Sequence, residues 1–162
     1  LPTIIYFKLL FFNFSALPAL LLNINADSRD HSTCTLLYNE QEHWMQAIWN
    51  GYVDPSEAQS GAASYLSHAM RHPSPYLLND NSRLQGPWFE SLDWLAEVWV
   101  PQAEQLGLRY VAHIMQADRP YDCLSVNHPL DLPFELQIFK DAEEARDWLR
   151  QVRDMTLAST TD

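Results

Sequence analysis

At 162 residues the chain is the size of one domain, and 47% apolar residues, with 6 Trp, 7 Tyr and 7 Phe, exclude disorder over most of its length. With 21 acidic against 10 basic residues the formal net charge is -11, and no Lys/Arg cluster appears, so nucleic acid is excluded as the expected partner. Cys34 and Cys123 stand far apart and outside any CxxC or Cys/His cluster, which argues against a zinc site or a disulfide framework and for a reducing, cytoplasmic compartment.

Leu1 to Leu22 is long and apolar, but Lys8 is its only basic residue, and Asn13 and Pro18 interrupt a possible membrane span. A translated leader, a secretory signal and a membrane anchor are all open readings, and membrane contact is expected only under the last. Asp27 to Ser32 reads as a polar linker. Residues 1–32 are therefore expected outside the fold, the domain over 33–155, and a loose tail over 156–162.

Thr35–Tyr38 and Trp44–Trp49 are strand-like runs around the polar turn Asn39–Glu42, the spacing of an antiparallel hairpin. Gly51 breaks the second run. Asp54-Pro55-Ser56-Glu57 then opens a helix: Asp54 caps free N–H groups, Pro55 suits the first position, and Glu57 completes a capping box. This helix is expected to reach about His72, with Ala58, Ala62, Tyr65, Leu66 and Ala69 on one face. Pro73 and Pro75 end it, Tyr76-Leu77-Leu78 is a strand, and Asp80–Gly86 reads as a loop.

Pro87 opens a second helix whose stripe is Trp88, Leu92, Leu95, Trp99, Ala103 and Leu106, bent or divided at Pro101. Gly107 closes it. Leu108–Met115 is a strand, Ala117–Pro133 irregular, and Phe134–Phe139 an alternating edge strand. Asp141 to Glu144 starts a last helix with Ala145, Trp148, Leu149 and Val152 apolar. The element order predicts an α/β domain: a single mixed sheet of about five strands, an N-terminal hairpin followed by parallel crossovers, and about four helices.

The strand end around Asn79, Asp80, Asn81, Ser82 and Arg83, with Trp88 and Trp94 beyond it, is the expected site, because open α/β sheets place sites at the carboxyl ends of strands. In the bland reading the four small polar residues hydrogen-bond their own backbone and shape a loop. Chemistry elsewhere is sparse. His68 and His72 lack a third ligand, Asp93 and Glu97 read as a solvated helix face, and no G-x-S-x-G elbow accompanies Ser82, Asp80 and His113. No enzyme activity, no metal and no cofactor is expected, and 4 glycines leave little room for a nucleotide cradle.

The element order and the strand–Asp80-Asn81-Ser82–helix passage resemble the STAS/SpoIIAA-like (anti-sigma-factor-antagonist-like) domain family over roughly residues 33–154. The runs Leu77–Arg83, Gly86–Trp88 and Trp94–Pro101 are similar to those of bacterial members of that group. The resemblance implies a regulatory or protein-interaction module. It makes Ser82 the candidate phosphoacceptor, since the antagonists carry a phosphorylated Ser or Thr between the equivalent strand and helix. Here Arg83 to Gly86 intervene before Pro87, so Ser82 does not stand at a helix start. A protein partner is the first expectation, with Trp88 or Trp94 as its exposed apolar anchor. The alternative is a small apolar or lipid-like ligand in a pocket between helix and sheet. A closed cavity lined by Trp and Leu favours the ligand, and a flat exposed aromatic patch favours the partner.

Overall fold

The computed structural model describes residues 19–117 and 131–159. The apolar run up to Pro18, Cys123 and most of the irregular 117–133 stretch lie outside them. One mixed sheet of six strands runs in the order β1-β2-β3-β4-β5-β6. The strands are β1 Leu20–Ala26, β2 Thr33–Asn39, β3 Trp44–Tyr52, β4 Tyr76–Gln85, β5 Tyr110–Ile114 and β6 Glu135–Phe139. The first three pair antiparallel, and β3 to β6 pair parallel.

The expected hairpin forms because Asn39 organises its turn. Its Oδ1 accepts the N–H groups of Gln41 and Glu42 at 3.1 and 3.0 Å, and its carbonyl accepts that of His43 at 2.8 Å. The parallel pairing of β3 and β4 requires a crossover, supplied by α1 (Pro55–Ala69). Both halves of its capping box are made: the Asp54 carboxylate accepts from the Glu57 N–H at 2.9 Å, and the Glu57 carboxylate from the Asp54 N–H at 2.8 Å.

Between β4 and β5 the chain forms a segmented helix: a 3-10 turn at Trp88–Ser91, α2 at Leu92–Trp94, a π turn at Leu95–Trp99 and α3 at Val100–Gln105. Pro101, lacking an N–H, divides it as its chemistry requires, and the Val100 N–H reaches back five residues to the Leu95 carbonyl. The last helix, α4 (Ala142–Ser159), follows β6.

Period-two alternation sends successive strand residues to opposite faces. Leu36, Met45, Ala47, Leu77 and Val111 meet α1 and the segmented helix, while Trp44, Tyr76, Leu78, Ala112 and Ile114 meet Ala145, Leu149 and Val152 of α4. Glu42 in the β2–β3 turn ties α4 down, accepting from Arg150 at 2.9 Å and Arg153 at 2.6 Å.

Three expectations are corrected. The fold includes residues before Thr33: Leu20–Ala26 adds a sixth strand, and Asp27–Ser32 is the β1–β2 turn, closed by the Asp27 N–H on the Ser32 carbonyl at 3.0 Å. Residues 156–159 continue α4. Finally, β4 does not stop at Leu78 but runs on to Gln85, because Asn79 and Asn81 find side-chain partners inside the sheet.

Candidate functional site

Asn79 occupies the middle of the sheet, in register with Ala47 of β3 on one side and His113 of β5 on the other. With Leu77 and Asn81 it faces the α1 layer. Beyond it the pairing jumps from Ile48–Asp80 to Asn50–Arg83, so β4 carries one extra residue. The Asp80 carboxylate shapes this bulge by accepting the Ser82 N–H at 2.9 Å, and the added residue returns Leu84 to the core face.

A chain of side-chain hydrogen bonds crosses three strands. The Trp49 indole N–H donates to Asn79 Oδ1 at 2.9 Å. Asn79 Nδ2 donates to Asn81 Oδ1 at 3.1 Å and lies 2.9 Å from His113 Nδ1. An indole N–H can only donate, so it fixes which end of the Asn79 amide is oxygen. The Asn79 amine then has nothing to accept with, and His113 Nδ1 must be the acceptor. His113 is thereby a neutral imidazole with its proton on Nε2. Asn81 and His113 are each 2% exposed. Burial at this level requires such partners, since an unpaired polar group there costs about 1–3 kcal/mol.

Over this polar floor lies an apolar cavity of about 140 Å³. Trp49, Leu77 and Val111 line it from the sheet, Tyr65 from α1, and Leu92, Leu95 and Trp99 from the segmented helix, with Phe134 closing the side toward β6. The first four residues of the expected stripe, Trp88, Leu92, Leu95 and Trp99, are thus part of the cavity's wall. Trp99 is fixed by its N–H on the Ala62 carbonyl at 3.0 Å and by ring contacts with Tyr65 at 5.3 Å and Phe134 at 6.3 Å. Gly61 lets α1 approach: a Cβ there would lie 2.4 Å from Trp49 Cη2 and 3.0 Å from Cys34 Sγ. Burial pushes the Tyr65 hydroxyl well above its usual range, and pushes the free Cys34 thiol up to about 12. Both are therefore neutral groups, and a thiol held protonated is a poor nucleophile.

Of the sequence-predicted residues, Asn79 and Asn81 come together with the cavity. Asp80 and the half-buried Ser82 belong to the bulge, and Arg83 is exposed. None of the five stands in a loop, which corrects that expectation. Trp88 is 8% exposed and lines the cavity, its N–H on Gln116 Oε1 at 3.2 Å and its ring 6.0 Å from that of His113. It is a buried wall, not an exposed anchor. Trp94 is half-buried and outside the lining. Gln116 Nε2 is buried with no partner among the described residues.

Sequence reasoning missed Trp49 and His113 as site residues. Their one signal was a polar tip within an otherwise apolar strand run. Among the described residues the one group of acidic and metal-ligating side chains with its ligand atoms converging is Asp27, Asp30 and Glu57, away from the cavity. Arg29 serves it as a counter-ion, 3.6 Å from Glu57 and bonded to Asp27, whose carboxyl it holds well below the usual carboxylate range.

Compared with models of protein families, with curated proteins and with solved structures, the chain matches none. No helix among the described residues is long and apolar enough to cross a membrane.

Proposed function

We propose that this domain binds one small, mainly apolar molecule in the cavity between the sheet and the α1 layer. The observation that carries the reading is the coincidence of an aromatic-walled cavity of about 140 Å³ with a buried polar cluster on its floor. Apolar walls supply affinity through area removed from water, and a few fixed polar groups supply orientation. The volume is close to that of a cavity known to accept benzene. A site of this size suits one ring with short substituents, not a long lipid chain.

The interaction-module reading expects Trp88 or Trp94 as an exposed aromatic anchor, and Trp94 is half-buried. Trp88 is buried and spoken for by Gln116, which favours the ligand over the partner. The STAS/SpoIIAA-like resemblance is an expectation about fold, and one fold hosts unrelated functions.

Titration with one-ring probes, followed through tryptophan emission, tests the proposal. Trp49, Trp88 and Trp99 all line the cavity, so occupancy alters their surroundings. Saturable binding is expected, abolished by Ala96→Phe, which fills the cavity from the segmented helix. Absence of saturable binding in the folded wild type overturns the proposal.

A further inference from the structure

Resting on that binding reading, we infer that the bound molecule is uncharged and carries a carbonyl-type hydrogen-bond acceptor, received by the Nδ2 amine of Asn81. The directionality of the floor decides the ligand's polar end. Asn79 Oδ1 is taken by the Trp49 N–H, and Asn81 Oδ1 by the Asn79 amine. Both amide oxygens are therefore engaged, and their orientation is set by a single donor-only indole. Asn81 lines the cavity, is 2% exposed, and its Nδ2 donates to no described residue. On the cavity floor this amine offers its hydrogens to whatever occupies the space, and an acceptor there satisfies them. Tyr65, the lining residue with a hydroxyl, donates as readily as it accepts and so tolerates one.

Charge narrows the class further. None of the described lining residues is Lys or Arg, and the chain as a whole carries -11. A carboxylate would enter an apolar cavity without a cation, at a desolvation cost that an amide donor does not offset. An ammonium would leave its own donors facing Nδ2. A ketone, aldehyde, ester or amide oxygen on a ring-sized apolar body satisfies both the donor and the charge.

The test compares acetophenone with ethylbenzene, which have the same carbon skeleton and differ in the carbonyl oxygen. In the wild type, acetophenone is expected to bind about five- to tenfold tighter, the size of one net hydrogen bond. In Asn81→Leu the preference disappears while ethylbenzene still binds. In case that variant fails to fold, the side-chain amide 1H–15N resonances of Asn81 in the wild type are followed as well; acetophenone shifts them and ethylbenzene leaves them. If both probes bind and ethylbenzene binds as tightly or tighter, or if the Asn81 amide resonances ignore acetophenone, the acceptor inference fails while the cavity reading stands. If neither binds, both fall together.

Discussion

Gly61→Ala sets two opposed effects against each other at the wall of the cavity. In a helix interior Ala is favoured over Gly by about 1 kcal/mol. The new methyl, however, would lie 2.4 Å from Trp49 Cη2, 2.9 Å from Cζ3 and 3.0 Å from Cys34 Sγ. Ordinary carbon contacts lie at about 3.5–4.0 Å, so the indole must retreat by about 1 Å. It cannot do so freely. Its far edge is held by the 2.9 Å bond to Asn79, and its backbone lies between β2 and β4. Overpacking of this kind costs about 1–3 kcal/mol, and pulling the indole N–H off a buried carbonyl about 1 kcal/mol more. The clash outweighs the propensity gain, and a net loss of about 1–3 kcal/mol is expected by urea denaturation monitored by circular dichroism. A double-mutant cycle isolates the cause. In a Trp49→Phe background the clashing six-membered ring edge is gone, and Gly61→Ala should become neutral or stabilising. Equal cost in both backgrounds would show that the close approach of α1 to Trp49 is not what requires glycine.

Three further outcomes are expected. His113 should carry its proton on Nε2 in the folded state at neutral pH, visible in long-range 1H–15N correlation spectra; a proton on Nδ1 would contradict the bond from Asn79. Leu149→Ala removes a fully buried side chain from the α4 layer and should cost about 2–5 kcal/mol in chemical denaturation, and a loss under 1 kcal/mol would mean that α4 is not packed as described. The carboxyl of Asp27 is depressed chiefly by its bond to Arg29, so its stabilisation is fully present above the ordinary carboxylate value of about 4 and is lost progressively below it, as pH falls toward the depressed value of the folded state. Melting curves between neutral and acid pH should therefore show a shallower acid loss for Asp27→Asn than for the wild type, and parallel curves would remove Asp27 from that role.

The elements set by local chemistry were legible in the sequence. The hairpin follows from Asn39 and flanking alternation, α1 from Asp54, Pro55 and Glu57, and the division of the second helix from Pro101. What was not legible depends on partners distant in the chain. Asn79-Asp80-Asn81-Ser82 has the composition of a turn and low strand propensity. It stays extended because Trp49, 30 residues away, and His113, 34 residues away, satisfy Asn79 across neighbouring strands. The period-two spacing Leu77, Asn79, Asn81 was the available clue, and the bulge before Leu84 obscured it. Likewise β1 was masked by the apolar run before it, since exposed Leu20, Leu21 and Ile24 on an edge strand look no different in sequence from the end of a leader. The aromatic stripe of the second helix was read correctly as periodicity, but periodicity does not say whether a stripe meets a filled core or a cavity.

The placement of the polar floor and the cavity is itself an argument about selection. An unfilled pocket of about 140 Å³ forfeits packing contacts that a filled layer would make. Aliphatic residues at positions 79, 81 and 113 would remove both the void and the need for a hydrogen-bond chain through the sheet centre. Instead, Asn79, Asn81 and His113 occupy adjacent central strands and face the same void. Stability on the α4 face, where Leu78, Ala112 and Ile114 fill the space opposite, shows what this sequence does when packing alone is at stake. Two independent departures from optimal packing, one in volume and one in polarity, coincide at one place on one face. This coincidence is what supports the proposed binding of one small molecule at this place.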